Sequence, residues 1–108
     1  MASVLQGLRV IEFTHMVAGP SCGQVLADFG ADVLKVEPPQ GDITRRMGPM
    51  VGDVAALYAC TNRNKEIVCL DLADAADATA ARALSDNLFG TAVPVDELMR
   101  MVGRSGEE

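Results

Sequence analysis

The residues with chemical potential in this 108-residue chain gather in three short segments. The first is His15-Met16-Val17-Ala18-Gly19-Pro20-Ser21, a glycine- and proline-bearing stretch. The second holds Lys35 followed by Arg45 and Arg46, and the third is Asn62-Arg63-Asn64-Lys65. Arginine and lysine suit phosphates, and amides suit the edge of a purine, so three such segments converging on one place would hold a phosphate-rich ligand. Scattered, solvated charge is the plain alternative, and position alone leaves the two open. His15, the single histidine, invites a general-base reading. No Ser or Cys beside it forms an evident dyad, and a lone His after a strand is more often structural. Glu12, inside an apolar run, reads as a buried or edge hydrogen-bonding group rather than a catalytic one.

Cys22, Cys60 and Cys69 make an odd count at spacings that fit no zinc pattern, and they read as buried free thiols. No metal is expected. The net charge of −6 is unevenly placed. Residues 1–65 carry six basic and six acidic side chains, whereas residues 66–108 carry three basic and nine acidic. That imbalance argues against nucleic acid and anionic membranes as partners, while the basic loops of the first part still suit a small polyanion. No apolar run approaches the roughly 20 residues that span a bilayer, and Met1 to Gly7 lacks a signal layout, so a cytoplasmic location is expected.

The elements that must position these groups follow from the hydrophobic pattern. Leu8 to Phe13 reads as a strand whose near-continuous apolar character suits a parallel sheet covered on both faces. After an Ala18-Gly19-Pro20 turn, Cys22, Val25, Leu26 and Phe29 fall at i, i+3, i+4 and i+7, the stripe of an amphipathic helix that Gly30 can end. Asp32 to Glu37 forms a second strand stopped by Pro38-Pro39, completing a βαβ unit. Gln40 to Gly52 reads as a loop, and Asp53 as the cap of a short helix through Val54, Leu57 and Tyr58. A third strand covers Glu66 to Leu72, and Asp74 caps an alanine-rich helix reaching Leu84. Beyond Ser85, an irregular link leads to a Val95, Leu98, Met99, Val102 stripe, a further C-terminal helix expected to pack on the sheet or on a partner. The expectation is an α/β fold: a short parallel sheet of about three strands with flanking helices and an extra C-terminal helix. Residues 1–84 would form the ligand-binding segment and 85–108 a divergent link and helix. A glycine-bearing strand-to-helix turn is where open α/β sheets bind anions, although this one lacks the G-x-G-x-x-G spacing of a dinucleotide site.

Taken together, Leu5 to His15, Ala18-Gly19-Pro20, Leu26 to Pro38, Gly41-Asp42, Thr44-Arg45, Tyr58, Asn62 to Lys65 and Leu70-Asp71-Leu72 resemble the N-terminal segment of the family III (CaiB/BaiF-type) CoA-transferases, which include acyl-CoA racemases. The resemblance covers roughly residues 5–84. It implies a Rossmann-like domain that binds coenzyme A as a thioester substrate, with Val17, Ala18, Lys35, Arg45, Asn62, Arg63, Asn64 and Lys65 as the binding residues. It also implies a homodimer of interlocked chains, or a complementary chain. Pro38 stands where some members have a basic residue, so that nucleotide contact is not carried over to this chain. The family's transferases use an aspartate nucleophile that forms an acyl-aspartyl anhydride, and its racemases use a His and Asp pair. Both lie in family segments downstream of everything matched, and after Leu84 this chain departs from the family's Asn-Phe-Arg-Pro-Gly block. No catalytic residue is therefore assigned here. The expected function is CoA binding within a CoA-transferase, not catalytic alone, with a racemase fragment or a non-enzymatic CoA-binding or subunit-association protein as alternatives.

Overall fold

The computed structural model describes residues 3–86. The chain divides into two compact units, Met1–Cys69 and Leu70–Glu108. The first unit is built on strand β1 (Arg9–Glu12), helix α1 (Ala18–Asp28) and strand β2 (Asp32–Glu37). A 3-10 turn (Ile43–Arg46) follows, then a hairpin of β3 (Met50–Val51) and β4 (Val54–Ala55), helix α2 (Ala56–Asn62) and strand β5 (Glu66–Cys69). Strands β1, β2 and β5 form one parallel sheet with β2 in the middle. The α/β architecture with a three-stranded parallel sheet is as the hydrophobic pattern predicts.

Register matters more than strand length here. Glu12 lies opposite Lys35, and Lys35 opposite Ile67. Because side chains alternate along a strand, Val33, Lys35 and Glu37 share one face of β2, as Val10 and Glu12 do on β1. That face is apolar at the start of the strands, where Val33 joins Ala27 and Ala31 with Leu5, Val10 and Leu26 packed around them. Towards the carboxyl ends it turns ionic. The sheet thus places its charged groups at the end where α/β sheets hold ligands.

Helix α1 corrects two expectations. Ala18, Gly19 and Pro20 are its first turn rather than a turn before it. Proline is tolerated there because no intrahelical partner is needed for its missing N–H. The inward face is Pro20, Gly23 and Ala27, while Val25, Phe29 and Cys22 are exposed. The helix is sided by size rather than by polarity, since small residues let it lie close over buried groups of the sheet. Gly23 shows how close: a Cβ there would stand 1.7 Å from Glu12 Oε1. Cys60 and Cys69 are exposed as well, so none of the three thiols is buried as expected. Gly30, at φ 103°, ends α1 as predicted. Its N–H donates to Ala27 O and that of Ala31 to Leu26 O, both at 3.0 Å, the paired bonds of a left-handed cap.

The Gln40–Gly52 segment is more ordered than a loop. Asp42 caps the 3-10 turn by accepting from the Thr44 N–H at 3.0 Å. Asp53 sits in the tip of the β3–β4 hairpin and does not cap α2, whose N-cap position is Ala55. Strand β5 ends at Cys69 rather than Leu72 because Asp71 and Asp74 start the next element. In the second unit, Asp74 Oδ2 accepts from the Asp77 N–H at 3.1 Å and starts helix α3 (Ala75–Asp86), as predicted. The Asp71 N–H in turn donates to Asp77 Oδ2 at 2.7 Å. The predicted Val95–Val102 helix lies outside the described residues.

Candidate functional site

Lys35 stands at the centre of the ionic end of the sheet and is fully buried, at 0% exposure. Its Nζ donates to Asp42 Oδ2 at 2.5 Å and to Asn62 Oδ1 at 2.8 Å, with Glu12 Oε2 and Glu37 Oε1 each 4.0 Å away. A buried ammonium is tolerable only with such close compensation. Lys65, whose side chain is also 0% exposed, lies 2.8 Å from Glu12 Oε1. It donates to the Pro20 carbonyl at 2.8 Å and to Asn62 Oδ1 at 3.1 Å. Asn62 completes its own bonding by donating to Tyr58 O and Thr61 Oγ1. Glu37 takes the third pairing, from Arg45 Nε at 2.8 Å. Three acids thus face three bases: Glu12 with Lys65, Asp42 with Lys35, and Glu37 with Arg45.

Burial alone would raise the Asp42 carboxyl, but the Lys35 ammonium and the Thr44 N–H and hydroxyl outweigh it and hold it at about 2. Burial pulls the Lys65 ammonium below its ordinary value despite Glu12. The Tyr58 phenol is pushed well above its ordinary value, first by burial and then by donating to Glu37 at 2.7 Å. Arg45 lies over the Tyr58 ring, its guanidinium carbon 4.0 Å from the centroid, and its Nη2 also donates to the phenol oxygen. The Arg45 side chain remains 42% exposed.

The eight residues singled out from the sequence therefore occupy four kinds of place. Lys35, Asn62 and Lys65 come together inside the buried network, where protein groups occupy them. Arg63 and Asn64 reach instead to the end of α1: Arg63 Nη2 is 2.7 Å from Asp28 Oδ2, and Asn64 donates to Asp28 Oδ1 at 3.2 Å. Arg63 holds the Asp28 carboxyl below its usual range. Val17 and Ala18, at the start of α1, are exposed, and no side chain caps the helix there. Arg45 and Arg63 are the predicted cations that combine a fixed position with an open face, at 42% and 54% side-chain exposure. Arg46 is exposed and donates to Gln40 O at 2.6 Å.

Sequence reasoning missed the importance of Asp42, which joins Lys35, Thr44 and, through Oδ1, the Met16 N–H at 3.3 Å. The Asp42-x-Thr44 spacing was the available signal, since such a carboxylate commonly bonds the backbone two residues on. Glu12 was read as a buried hydrogen-bonding group, and it is buried beside Lys65 and Lys35. Among the described residues, no group of three or more His, Cys, Asp or Glu side chains is placed to hold a metal. No helix there is long and apolar enough to cross a membrane.

The profile of CoA-transferase family III matches residues 5–87, which span the sheet and every group of the network. The chain belongs to CoA-transferase family III. Among curated family III members, it is 49% identical over 73 residues to the formyl-CoA:oxalate CoA-transferase of Afipia carboxidovorans. It is 46% identical over 72 residues to the acetyl-CoA:oxalate CoA-transferase of Acetobacter aceti. These matches take in 66% of this chain but only 17% and 18% of the two relatives. A solved CaiB/BaiF family protein from Brucella suis superimposes with a TM-score of 0.72 at 39% identity, covering 78% of this chain and 24% of that one. A Mycobacterium tuberculosis protein superimposes with the same TM-score at 33% identity, covering 98% of this chain and 29% of that one. The family III segment described here thus spans a small share of the length of its relatives.

Proposed function

We propose that this chain is the CoA-binding portion of a family III CoA-transferase, whose whole protein moves CoA between carboxylic acids. The observation that carries the reading is the near 50% identity to transferases named for formyl-CoA and oxalate, over a matched span that builds the ionic end of the sheet. In this reading the start of α1, with Val17 and Ala18, meets the ligand through backbone N–H groups at a helix end that favours anions. Arg45, and Arg63 with Asn64, supply the exposed cationic and amide contacts. Lys35, Asn62 and Lys65 stand behind them and keep the loops in place.

The chain is not catalytic by itself in this proposal. The transfer requires a carboxylate nucleophile that displaces the CoA thiolate from the thioester to form a mixed anhydride. The thiolate then attacks the enzyme carbonyl of that anhydride, the first acid leaves, and the second acid takes CoA from the resulting enzyme thioester by the reverse steps. The buried acids of the network, Glu12, Glu37 and Asp42, offer no such group, since each is already paired with a cation and shielded from solvent. The partner is a second copy or a complementary chain, which light scattering with intact-mass measurement would identify.

Titration calorimetry of the full chain with CoA, and with 3′-dephospho-CoA as the control, tests the reading. Saturable binding that weakens without the 3′-phosphate is expected, and Arg45→Ala weakens it further. A demonstrably folded chain that binds no CoA would overturn the proposal. Acyl-CoA transfer by the chain alone would overturn the claim that it lacks its own nucleophile.

A further inference from the structure

The β1–α1 loop is held by buried polar groups at three points. Thr14 donates to Glu12 and packs so tightly on α1 that a Cβ on Gly19 would stand 2.6 Å from its own Cβ. Lys65 holds the Pro20 carbonyl in the first helical turn at 2.8 Å. Between them, Asp42 accepts the Met16 N–H from 26 residues away. Met16 has a φ of 69°, in the left-handed region that a long side chain rarely adopts. It immediately precedes Val17 and Ala18, the exposed residues at the start of α1.

Capping of the 3-10 turn does not account for Asp42. The cap needs only an acceptor for the Thr44 N–H, which an exposed aspartate supplies. Asp42 is instead 1% exposed, pairs with a lysine that is itself 0% exposed, and reaches a distant loop. Buried ion pairs contribute little net stability relative to apolar packing, so their clearest use is to specify a geometry. The non-glycine residue of positive φ that this pair bonds directly is Met16. Strain held by surrounding structure next to an exposed helix start points to a placed ligand contact.

We infer that Asp42 is a positioning residue for the CoA site, acting by holding Met16 in its left-handed conformation so that Val17 and Ala18 meet the ligand. The inference rests on the CoA-binding reading above and adds the residue that shapes the site without touching the ligand. A non-glycine residue released from the left-handed region moves to the right-handed or extended one, so the competent population falls roughly tenfold or more. Apparent affinity falls by the same factor, because only the competent fraction binds.

The test uses the full chain labelled for NMR, with CoA affinity measured in parallel. Asp42→Asn keeps the shape but has one acceptor oxygen where Asp42 uses two, Oδ2 for Lys35 and Oδ1 for the Met16 and Thr44 N–H groups. The Lys35 ammonium takes that oxygen, which leaves the amide NH2 facing the Met16 N–H. The expected result is a folded chain in which the backbone shifts and couplings of Met16 lose their left-handed signature and CoA binds about tenfold more weakly. Adding Met16→Gly restores most of the affinity, since glycine adopts positive φ without steric cost. A purely structural aspartate would not be rescued in this way. Should Asp42→Asn fail to fold, Met16→Val serves instead. It leaves the buried network intact at an exposed position and disfavours positive φ more strongly, so the same loss of affinity is expected. A folded Asp42→Asn chain that keeps Met16 left-handed would overturn the inference, as would CoA affinity within about twofold of the parent in either variant. A parent chain that binds no CoA overturns the CoA reading instead, and the NMR arm still decides whether Asp42 sets the loop.

Discussion

Replacing Lys35 by methionine keeps the volume of the side chain and removes its charge. Glu12 retains Lys65 and Glu37 retains Arg45, so the group left stranded is Asp42, with its side chain wholly buried. Removing one partner of a buried pair typically costs about 3–5 kcal/mol. An independent ceiling agrees. Asp42 can escape its burial by taking up a proton, and at pH 7 that costs a carboxyl of ordinary pKa 3.8 roughly 1.36 kcal/mol for each of about three units, or about 4 kcal/mol. A domain of this size has about 5–15 kcal/mol in all, so the variant sits near the edge of folding at neutral pH. Urea unfolding followed by circular dichroism should show a midpoint lowered by roughly 2 M, given a slope of about 1–3 kcal/mol per M. The ceiling adds a sign. In the variant, folded Asp42 is protonated while unfolded Asp42 is not, so the folded state binds the extra proton and gains stability as pH falls. The gap between parent and variant should therefore shrink by roughly 1.4 kcal/mol for each unit from pH 7 towards pH 5. A loss under about 1 kcal/mol at pH 7, or a gap independent of pH, would refute the view that Lys35 exists to neutralise Asp42.

Gly23→Ala puts a methyl group 1.7 Å from Glu12 Oε1 and 3.2 Å from Lys65 Cε, both buried. Overpacking should cost about 1–3 kcal/mol and outweigh the better helix propensity of alanine, lowering the thermal midpoint; a rise would show that α1 can lift off the pair freely. Asp42 in the parent has its carboxyl held at about 2 against 3.8 unfolded. Its contribution of about 2 kcal/mol is present above pH 4 and lost as pH falls towards 2, so the urea midpoint should drop across that window and drop less in Asp42→Asn; identical slopes would count against the assignment. Tyr58 is the single tyrosine, so alkaline titration by near-ultraviolet absorbance reports it alone. Burial and its bond to Glu37 should keep it from ionising at pH 10 until the chain unfolds, whereas ordinary titration in the folded state would contradict the buried hydrogen bond.

Much of the fold was legible because it depends on local pattern. The apolar runs at Arg9–Glu12 and Asp32–Glu37, the stop at Pro38, the left-handed cap at Gly30 and the Asp74 cap follow from short-range sterics and hydrogen bonding. The facing of α1 was not legible. Polarity pointed to Cys22, Val25 and Phe29, but the sheet beneath is crowded by Glu12 and Lys65, and only Pro20, Gly23 and Ala27 are small enough to lie there.

The candidate site divides along the same line. Residue type alone marked Lys35, Arg45, Asn62 and Lys65 as polar groups at or beside strand ends, and family blocks in register named a CoA-transferase lineage. Neither says whether an ammonium faces a ligand or another side chain, because that depends on partners far apart in the chain. Glu12 becomes a neighbour of Lys35 only through the parallel register of β1 and β2, and Asp42 reaches Met16 only when the 3-10 turn folds back on the sheet. Sequence by itself determined the elements and the lineage, since helices, strands and caps are local. Tertiary structure alone decided which charges are spent inside and which remain open, because burial and ion pairing are properties of groups that meet only in the folded chain.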